Sequence, residues 1–485
     1  MSVRDLEPSV LWNHFADLNA VPRPSKKEAQ VIEFARQFGE SLGLLTQVDE
    51  VGNVMIRKPA SAGMENRTPI VMQSHLDMVC QKNNDTDFDF EKQGIEMLVD
   101  GDFVRANGTT LGSDNGIGVA AIMSILSSDE IVHPPLEALF TIDEETGMTG
   151  AMGLKGGWLE GKILLNLDTE DDNELTIGCA GGVDITCSGN CPTEPAPDNA
   201  KTFRITVRGL KGGHSGMDIH LGRGNANKWM NRVLWHLGEA VDLQVVRIDG
   251  GGLRNAIPRE SVAIVNVSGA GLDSLQELIQ LQAGELLEEY RTTDPSAEIL
   301  VEECERVAAG LTADFQQRLL AVLYSCPNGI HRMSPEIEDL VQTSNNLARV
   351  LLDGNQFQLG CLTRSSVNSE RDDLANSIAA SFRLLGGEIQ FGGKYTGWTP
   401  LPGSKIVELM SGLYEELFDH PPHVAACHAG LECGILGQNY PGMEMISFGP
   451  NIRGAHSPDE NVQISSVQKF WRYLLAALQR IPIDG

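Results

Sequence analysis

The spacing of apolar and polar positions changes several times along the 485-residue chain, and each change predicts an element. Residues 8–19 carry the three-to-four spacing of an amphipathic helix. Val21-Pro-Arg-Pro24 breaks it, and Ser25-Lys-Lys-Glu28 reads as a capping box opening a second helix to about Leu42. Two short strands follow at 44–50 and 53–58, joined by Gly52-Asn53. The apolar run Ile70-Val-Met72 predicts a buried strand that ends by delivering His75 and Asp77. Strand side chains alternate faces, so these two residues point the same way. Residues 81–113 look loop-rich, and a helix runs from about Ile117 to Leu126. Leu136–Ile142 predicts a strand followed at once by Asp143-Glu144-Glu145, and 162–167 predicts another followed by Asp168. Strands alternating with helical patterns indicate an α/β fold around a mostly parallel sheet.

The texture changes between 180 and 200, where Ala180-Gly-Gly182 and a polar, proline-containing stretch read as a domain boundary. Beyond it the pattern gives strand 202–208, the loop Lys211-Gly-Gly-His214-Ser-Gly216, helix 225–239, strands 243–248 and 261–267, and helix 273–290. This order suggests a ferredoxin-like layer of helices on an antiparallel sheet. Helix 312–325, strands at 338–350 and 355–364, and helix 367–385 could form a second, similar unit, although no clear sequence repeat supports a duplication. From Trp398 the first texture returns, with helix 404–417, strand 443–448 and a final helix over 464–480. The expected domains are therefore 1–183 and 398–485 as two segments of a catalytic domain, with 184–397 inserted as an α+β domain.

Four residues of ligand type fall where predicted strands end: His75, Glu145, Asp168 and, in the loop after strand 443–448, His456. Asp114 lies in the glycine-rich loop leading into a helix, at the same rim. Open α/β sheets bind ligands outside these carboxyl ends. Two histidines with three carboxylates and no thiolate suit Zn²⁺, Mn²⁺ or Co²⁺ better than copper or iron–sulfur chemistry. Five ligands are too many for one catalytic zinc with an open position, whereas a carboxylate shared by two ions accommodates them and serves hydrolysis. Glu144, beside a ligand but not needed as one, is then a natural general base.

Composition narrows the classes. Lys plus Arg number 37 against 66 Asp plus Glu, a formal charge of −29 that repels nucleic acid and anionic lipid and favours a cationic cofactor. No signal peptide is expected at the N-terminus and no membrane span along the chain. Nine scattered cysteines without CxxC spacing read as thiols of a reducing compartment, and the cytoplasm is the expected location. The chain has no GxxxxGK[ST] loop, HExxH helix or GxSxG elbow.

The motifs His75-Leu-Asp77, Gly112-Ser-Asp114-Asn-Gly116, Glu144-Glu145, Asp168 and His456-Ser-Pro458 resemble those of the di-zinc exopeptidases of the carboxypeptidase G2 and aminoacylase type, over nearly the whole chain. Three further loops, Lys211 to Gly216, Leu253 to Pro258 and His428 to Gly434, resemble the branch of dipeptidases acting on Xaa-His. The resemblance implies two divalent ions per chain, Zn²⁺ first and Co²⁺ or Mn²⁺ as alternatives. Asp114 would bridge them, His75 and Asp168 would complete one site, and Glu145 and His456 the other. It also implies a cis peptide at Asp114–Asn115. Asp77 would orient His75, and Glu144 would move a proton from the attacking water to the leaving amine. His214 would steady the developing oxyanion, and Asn255, Arg364 and Gly430 would border the C-terminal end of the substrate, Arg364 facing its carboxylate. The inserted domain would act as a lid. If it is duplicated, one half could play the part of a partner subunit's lid in single-lid relatives. Cys80 stands where the family commonly has proline, and a small buried apolar group is its simplest reading. The implied function is hydrolysis of unblocked dipeptides. An N-acyl-amino-acid deacylase or tripeptidase of the same fold, or a noncatalytic metal-binding relative, stands as the alternative. The expected partner is a small peptide, with neither nucleic acid nor membrane, and a homodimer is left open.

Overall fold

The computed structural model describes residues 2–484 apart from Asp273, so the first residue of the helix expected over 273–290 lies outside the described residues. The chain forms two compact units. The first comprises Met1–Gly178, Trp398–Ala426 and Leu431–Gly485, and the second comprises Cys179–Gly397 with Cys427–Gly430.

The first unit is organised on a mixed eight-stranded sheet. Its order is Leu45–Val48, Val54–Lys58, Leu136–Thr141, Ile70–His75, Ile163–Asn166, Glu444–Ser447, Glu174–Cys179 and His423–Cys427. The four strands from Leu136–Thr141 to Glu444–Ser447 are parallel and the described pairings outside them are antiparallel. The largely parallel sheet expected from the pattern is therefore a parallel centre with antiparallel edges. The first edge follows from the tight link at Gly52 (φ +112°), since a short turn can only reverse the chain. Residues 70–75 and 136–141 are buried throughout, as strands covered on both faces must be.

Helix Ser113–Ser127 packs against this centre, and glycine allows the approach. A Cβ at Gly118 would lie 2.5 Å from Ser74 Oγ and 2.8 Å from the Leu167 carbonyl. Gly112 precedes the helix at φ +71°, where a Cβ would meet Arg23 Nη2 at 2.4 Å. The stretch 81–113, expected to be loop, contains the hairpin Met97–Asp100 and Phe103–Ala106, which joins Asn461–Gln463 and Ile452–Arg453 in a small sheet. Strands of four residues with half-exposed faces leave too little apolar alternation to read.

The second unit holds an antiparallel sheet in the order Glu298–Cys304, Lys201–Arg208, Ser261–Ser268, Asp242–Gly251, Val341–Asp353, Gln356–Ser365, Gly181–Asn190 and Glu388–Tyr395. The polar stretch read as a boundary is thus largely strand Gly181–Asn190, and a division after residue 183 would cut it. Two β-α-β-β-α-β sets share the sheet. In one, Lys201–Arg208 comes first and Glu298–Cys304 last, with helices Ala226–Ala240 and Leu275–Glu289. In the other, Gly181–Asn190 is the first strand, Glu388–Tyr395 the last, and helices Ala313–Ser325 and Asn368–Phe382 intervene. Both sets have the spatial order fourth, first, third, second. Trp229, Val233, Phe315, Ile378 and Phe382 from these helices bury against the sheet in one core.

Candidate metal centre

Strand Ile70–His75 runs parallel to its neighbours and brings His75 to the carboxyl rim, almost fully buried. Its Nε2 lies 3.2 Å from Asp114 Oδ1 and 3.5 Å from Asp168 Oδ1. The other oxygen of Asp114 lies 3.3 Å from His456 Nε2, which is 3.0 Å from Glu145 Oε2. One carboxylate therefore stands between two imidazoles, each with a further carboxylate behind it. Atoms of His75, Asp114 and Glu145 lie within 4.8 Å of one another. All five candidate ligands come together. The Asp114–Asn115 peptide is cis, and His456 takes a left-handed backbone (φ +67°).

Asp77 is fully buried beneath this group. Its Oδ1 lies 3.4 Å from His75 Nδ1 and accepts the Glu144 N–H at 3.1 Å, and its Oδ2 accepts the Glu145 N–H at 3.3 Å and the Ser25 hydroxyl at 2.8 Å. The Asp77 carbonyl meets His75 Nδ1 at 3.1 Å, and the carboxylate fixes the turn that presents both glutamates.

Two residues outside the sequence reading brace the rim. Glu460, buried, accepts the backbone N–H groups of Leu111, Gly112 and Ser113 at 2.7, 2.9 and 2.7 Å, and the Ser113 hydroxyl at 2.6 Å. It caps the start of the helix that carries Asp114, where negative charge is favoured. Arg23, also buried, donates to the carbonyls of Leu76 and Asp77 at 3.1 Å each and of Gly112 at 2.5 Å, tying the His75 loop to the Asp114 loop. Only Glu460's position four residues after His456 hinted at its role. Arg23 lay inside a helix-breaking stretch and carried no signal.

The charges do not balance within the protein. Among the described residues the ion pairs of Asp114, Glu145 and Asp168 are with His75 and His456 alone, with no Lys or Arg. Hydrogen bonds donated to the Asp114 and Glu145 carboxylates push His456 up to about 11. Burial opposes charge on His75, yet Asp168, Asp114 and Asp77 together raise it well above its ordinary value. Burial first, then Asp114 and Glu145, push Asp168 up to about 6, and burial carries Glu144 well above the carboxylate range. Glu145 Oε1 is buried and meets no hydrogen-bond partner among the described residues. Two imidazoles, three carboxylates and an unpartnered buried oxygen fit divalent cations. Cys80 Sγ lies 3.7 Å from the Met78 carbonyl, and burial pushes its thiol up to about 11, which disfavours a thiolate ligand.

Within the second unit, the short pairing of Gly213–His214 with Ala256–Ile257 sets His214 beside Asn255, whose carbonyl accepts the Ser215 N–H at 2.7 Å. His214 Nδ1 accepts the backbone N–H groups of Gly216 and Met217 at 3.2 and 3.0 Å. Burial and the Arg364 charge lower its pKa to about 4, so the neutral ring carries its hydrogen on Nε2. Arg364 Nη2, 3.4 Å from that nitrogen, is then a second donor rather than a partner. Arg364 is buried, and it donates to Tyr395 Oη at 2.7 Å and Ser215 Oγ at 3.3 Å. No carboxylate reaches ion-pair distance of it among the described residues. His428, two residues before Gly430 and missed in the sequence reading, meets Ser344 Oγ at 2.7 Å through Nε2.

The family model for peptidase family M20/M25/M40 matches residues 71–480. Cytosol non-specific dipeptidase of Escherichia coli (strain K12) is 42% identical over 477 residues, 98% of this chain and 98% of that one. The crystal structure of aminoacylhistidine dipeptidase from Vibrio alginolyticus matches at 43% identity and a TM-score of 0.94, covering 100% of this chain and 99% of that chain. Aminopeptidase PepT from Bacillus cereus, 14% identical with a TM-score of 0.57 over 98% and 99% of the two chains, shares the fold.

Two outcomes follow from the geometry. The carboxylates around His75 and His456 raise both rings and so favour their protonated forms in the metal-free chain. Metal coordination needs bare ring nitrogens, so Zn²⁺ binding is expected to release roughly one proton per ion and to strengthen as pH rises. Calorimetry at pH 7 in buffers of different ionisation heat measures this, and a heat independent of buffer would contradict it. Cys80→Ala should keep its metal content and most of its activity, and loss of an ion in that variant would show that the thiol is a ligand.

Proposed function

Because the chain belongs to peptidase family M20/M25/M40, we infer that its metal centre hydrolyses unblocked dipeptides, Xaa-His among them. The protein is a dipeptidase, a hydrolase of peptide bonds. The observation that carries the mechanistic reading is the Asp114 carboxylate, whose two oxygens face His75 and His456 separately.

In this reading Asp114 would be shared by two ions, His75 and Asp168 would hold one, and Glu145 and His456 would hold the other. Zn²⁺ suits the donor set first, with Co²⁺ or Mn²⁺ as alternatives. When bound, such ions lower the pKa of water and polarise the scissile carbonyl. Asp77 keeps the His75 ring in one orientation. Glu144 takes a proton from the attacking water and gives it to the leaving amine. Its burial suits a group that must hold that proton between the two steps.

The second unit supplies the remaining contacts. Among the described residues the Nε2–H of His214 meets no acceptor, which suits it to donate to the oxyanion. Arg364, a buried cation without a carboxylate of its own, takes the C-terminal carboxylate of the dipeptide, with Asn255 and Gly430 bordering that end. The shared strand order of its two halves supports a duplicated ferredoxin-like unit. The reading assigns no catalytic role to a homodimer. The E. coli relative is named for the cytosol, and among the described residues no helix is long and apolar enough to cross a membrane. A cytoplasmic location agrees with both.

One assay set tests the reading. β-Ala-His and other Xaa-His dipeptides should be cleaved, while N-acetyl amino acids and tripeptides should not. Glu144→Ala should retain its ions and lose about 10²–10⁴-fold in kcat. Cleavage of acylated substrates alone would overturn the dipeptidase reading. Full activity in Glu144→Ala would overturn the proton-transfer role.

A further inference from the structure

Glu432 opens helix Glu432–Asn439 and is fully buried. Its Oε2 accepts hydrogen bonds from Gln73 Nε2 and from the Thr141 hydroxyl, both at 2.6 Å. Gln73 Nε2 also reaches Thr141 Oγ1 at 3.0 Å, closing a triangle. Oε1 is buried with no hydrogen-bond partner.

The two strands gathered by this carboxyl are the ones that present the chemistry. Gln73 precedes His75 by two residues and shares its face of the strand. Thr141 ends the neighbouring parallel strand, stands opposite His75 in register, and leads through Ile142-Asp143 to Glu144 and Glu145. The row continues across the sheet. Asn166 donates to Gln73 Oε1, and the Ser447 hydroxyl donates to Asn166 Oδ1. Asn166 in turn precedes Asp168 by two residues. Polar side chains thus cross the four parallel strands, Gln73 and Asn166 two residues before His75 and Asp168, Thr141 level with His75, and Ser447 beyond Asn166. Burial raises the Glu432 carboxyl to about 8, and the charges of His75, Asp168 and Asp77 act on it, which places it within the field of the rim.

We propose that Glu432 is a positioning residue for the metal centre: its Oε2 fixes the ends of the two strands that deliver His75 and the Glu144–Glu145 pair, and so holds the two ligand sets at the spacing a pair of ions requires. The proposal rests on the two-metal reading above. A group with a purely structural role would affect folding stability. A positioning group changes how tightly the folded chain holds its ions, as partners behind metal ligands do.

The test is Zn²⁺ titration of the metal-free, folded protein by competition with a chromophoric chelator, with circular dichroism and thermal unfolding run alongside. Wild type, Glu432→Ala, Glu432→Gln and Thr141→Val are compared. Glu432→Ala is expected to weaken Zn²⁺ binding by about 10–100-fold. Thr141→Val, which removes one donor and leaves the helix untouched, should shift affinity in the same direction. Glu432→Gln can accept the same two hydrogen bonds as a neutral side chain and should stay close to wild type. If Glu432→Ala does not fold, Thr141→Val decides the matter. Zn²⁺ affinity unchanged in Thr141→Val and in folded Glu432→Ala, with only the melting temperature lowered, would overturn the proposal. If wild type itself took up no Zn²⁺, the two-metal reading would fail instead.

Discussion

Buried negative charge at the carboxyl ends of four parallel strands is the constraint on which the first unit depends. Asp114, Glu145 and Asp168 converge with only two imidazoles between them, and Asp77 adds a fourth carboxylate behind His75. Such a cluster cannot be left uncompensated, since an unpaired buried charge costs several kcal/mol. Protons on His75 and His456 balance part of it in the metal-free chain. Divalent cations balance it far better, and they bring the hydrolytic chemistry with them.

The surrounding structure keeps these like charges in place. Glu460 spends its carboxylate on the amides that begin the Asp114 helix, and Arg23 holds the His75 and Asp114 loops by their carbonyls. Asp77 anchors the turn at Glu144 and Glu145. Glycine permits the closeness, because any side chain at Gly118 would separate the helix from the strand that ends at His75. Packing, backbone hydrogen bonding and charge placement therefore act on the same few loops. In the second unit His214 is held in the same way, its Nδ1 accepting two backbone amides that fix one tautomer.

Much of this was legible in the chain, for a physical reason. Ligand-type residues placed where apolar runs stop mark the rim of an α/β sheet, so His75, Glu145, Asp168 and His456 could be gathered before any coordinates. The resemblance then separated their jobs. Arg23, Glu460 and Glu432 stayed hidden because their roles depend on partners 53 to 359 residues away, which no local pattern reports. The antiparallel strands Val54–Lys58 and Glu174–Cys179 share the apolar texture of the parallel centre, so the pattern alone does not tell their direction. The stretch that reads as a domain boundary holds strand Gly181–Asn190, whose glycines and half-exposed polar residues weaken the alternation. In the second unit two sets of strands share one spatial order although the sequence shows no clear repeat.

The central claim is that the rim works through two bound ions held by Asp114 and its neighbours. The most direct measurement is metal content by elemental analysis, followed with Xaa-His hydrolysis through chelation and metal return. The account predicts about two divalent ions per chain, loss of hydrolysis as they are removed, and recovery when Zn²⁺ is restored. Undiminished hydrolysis by protein shown to contain no metal would contradict it.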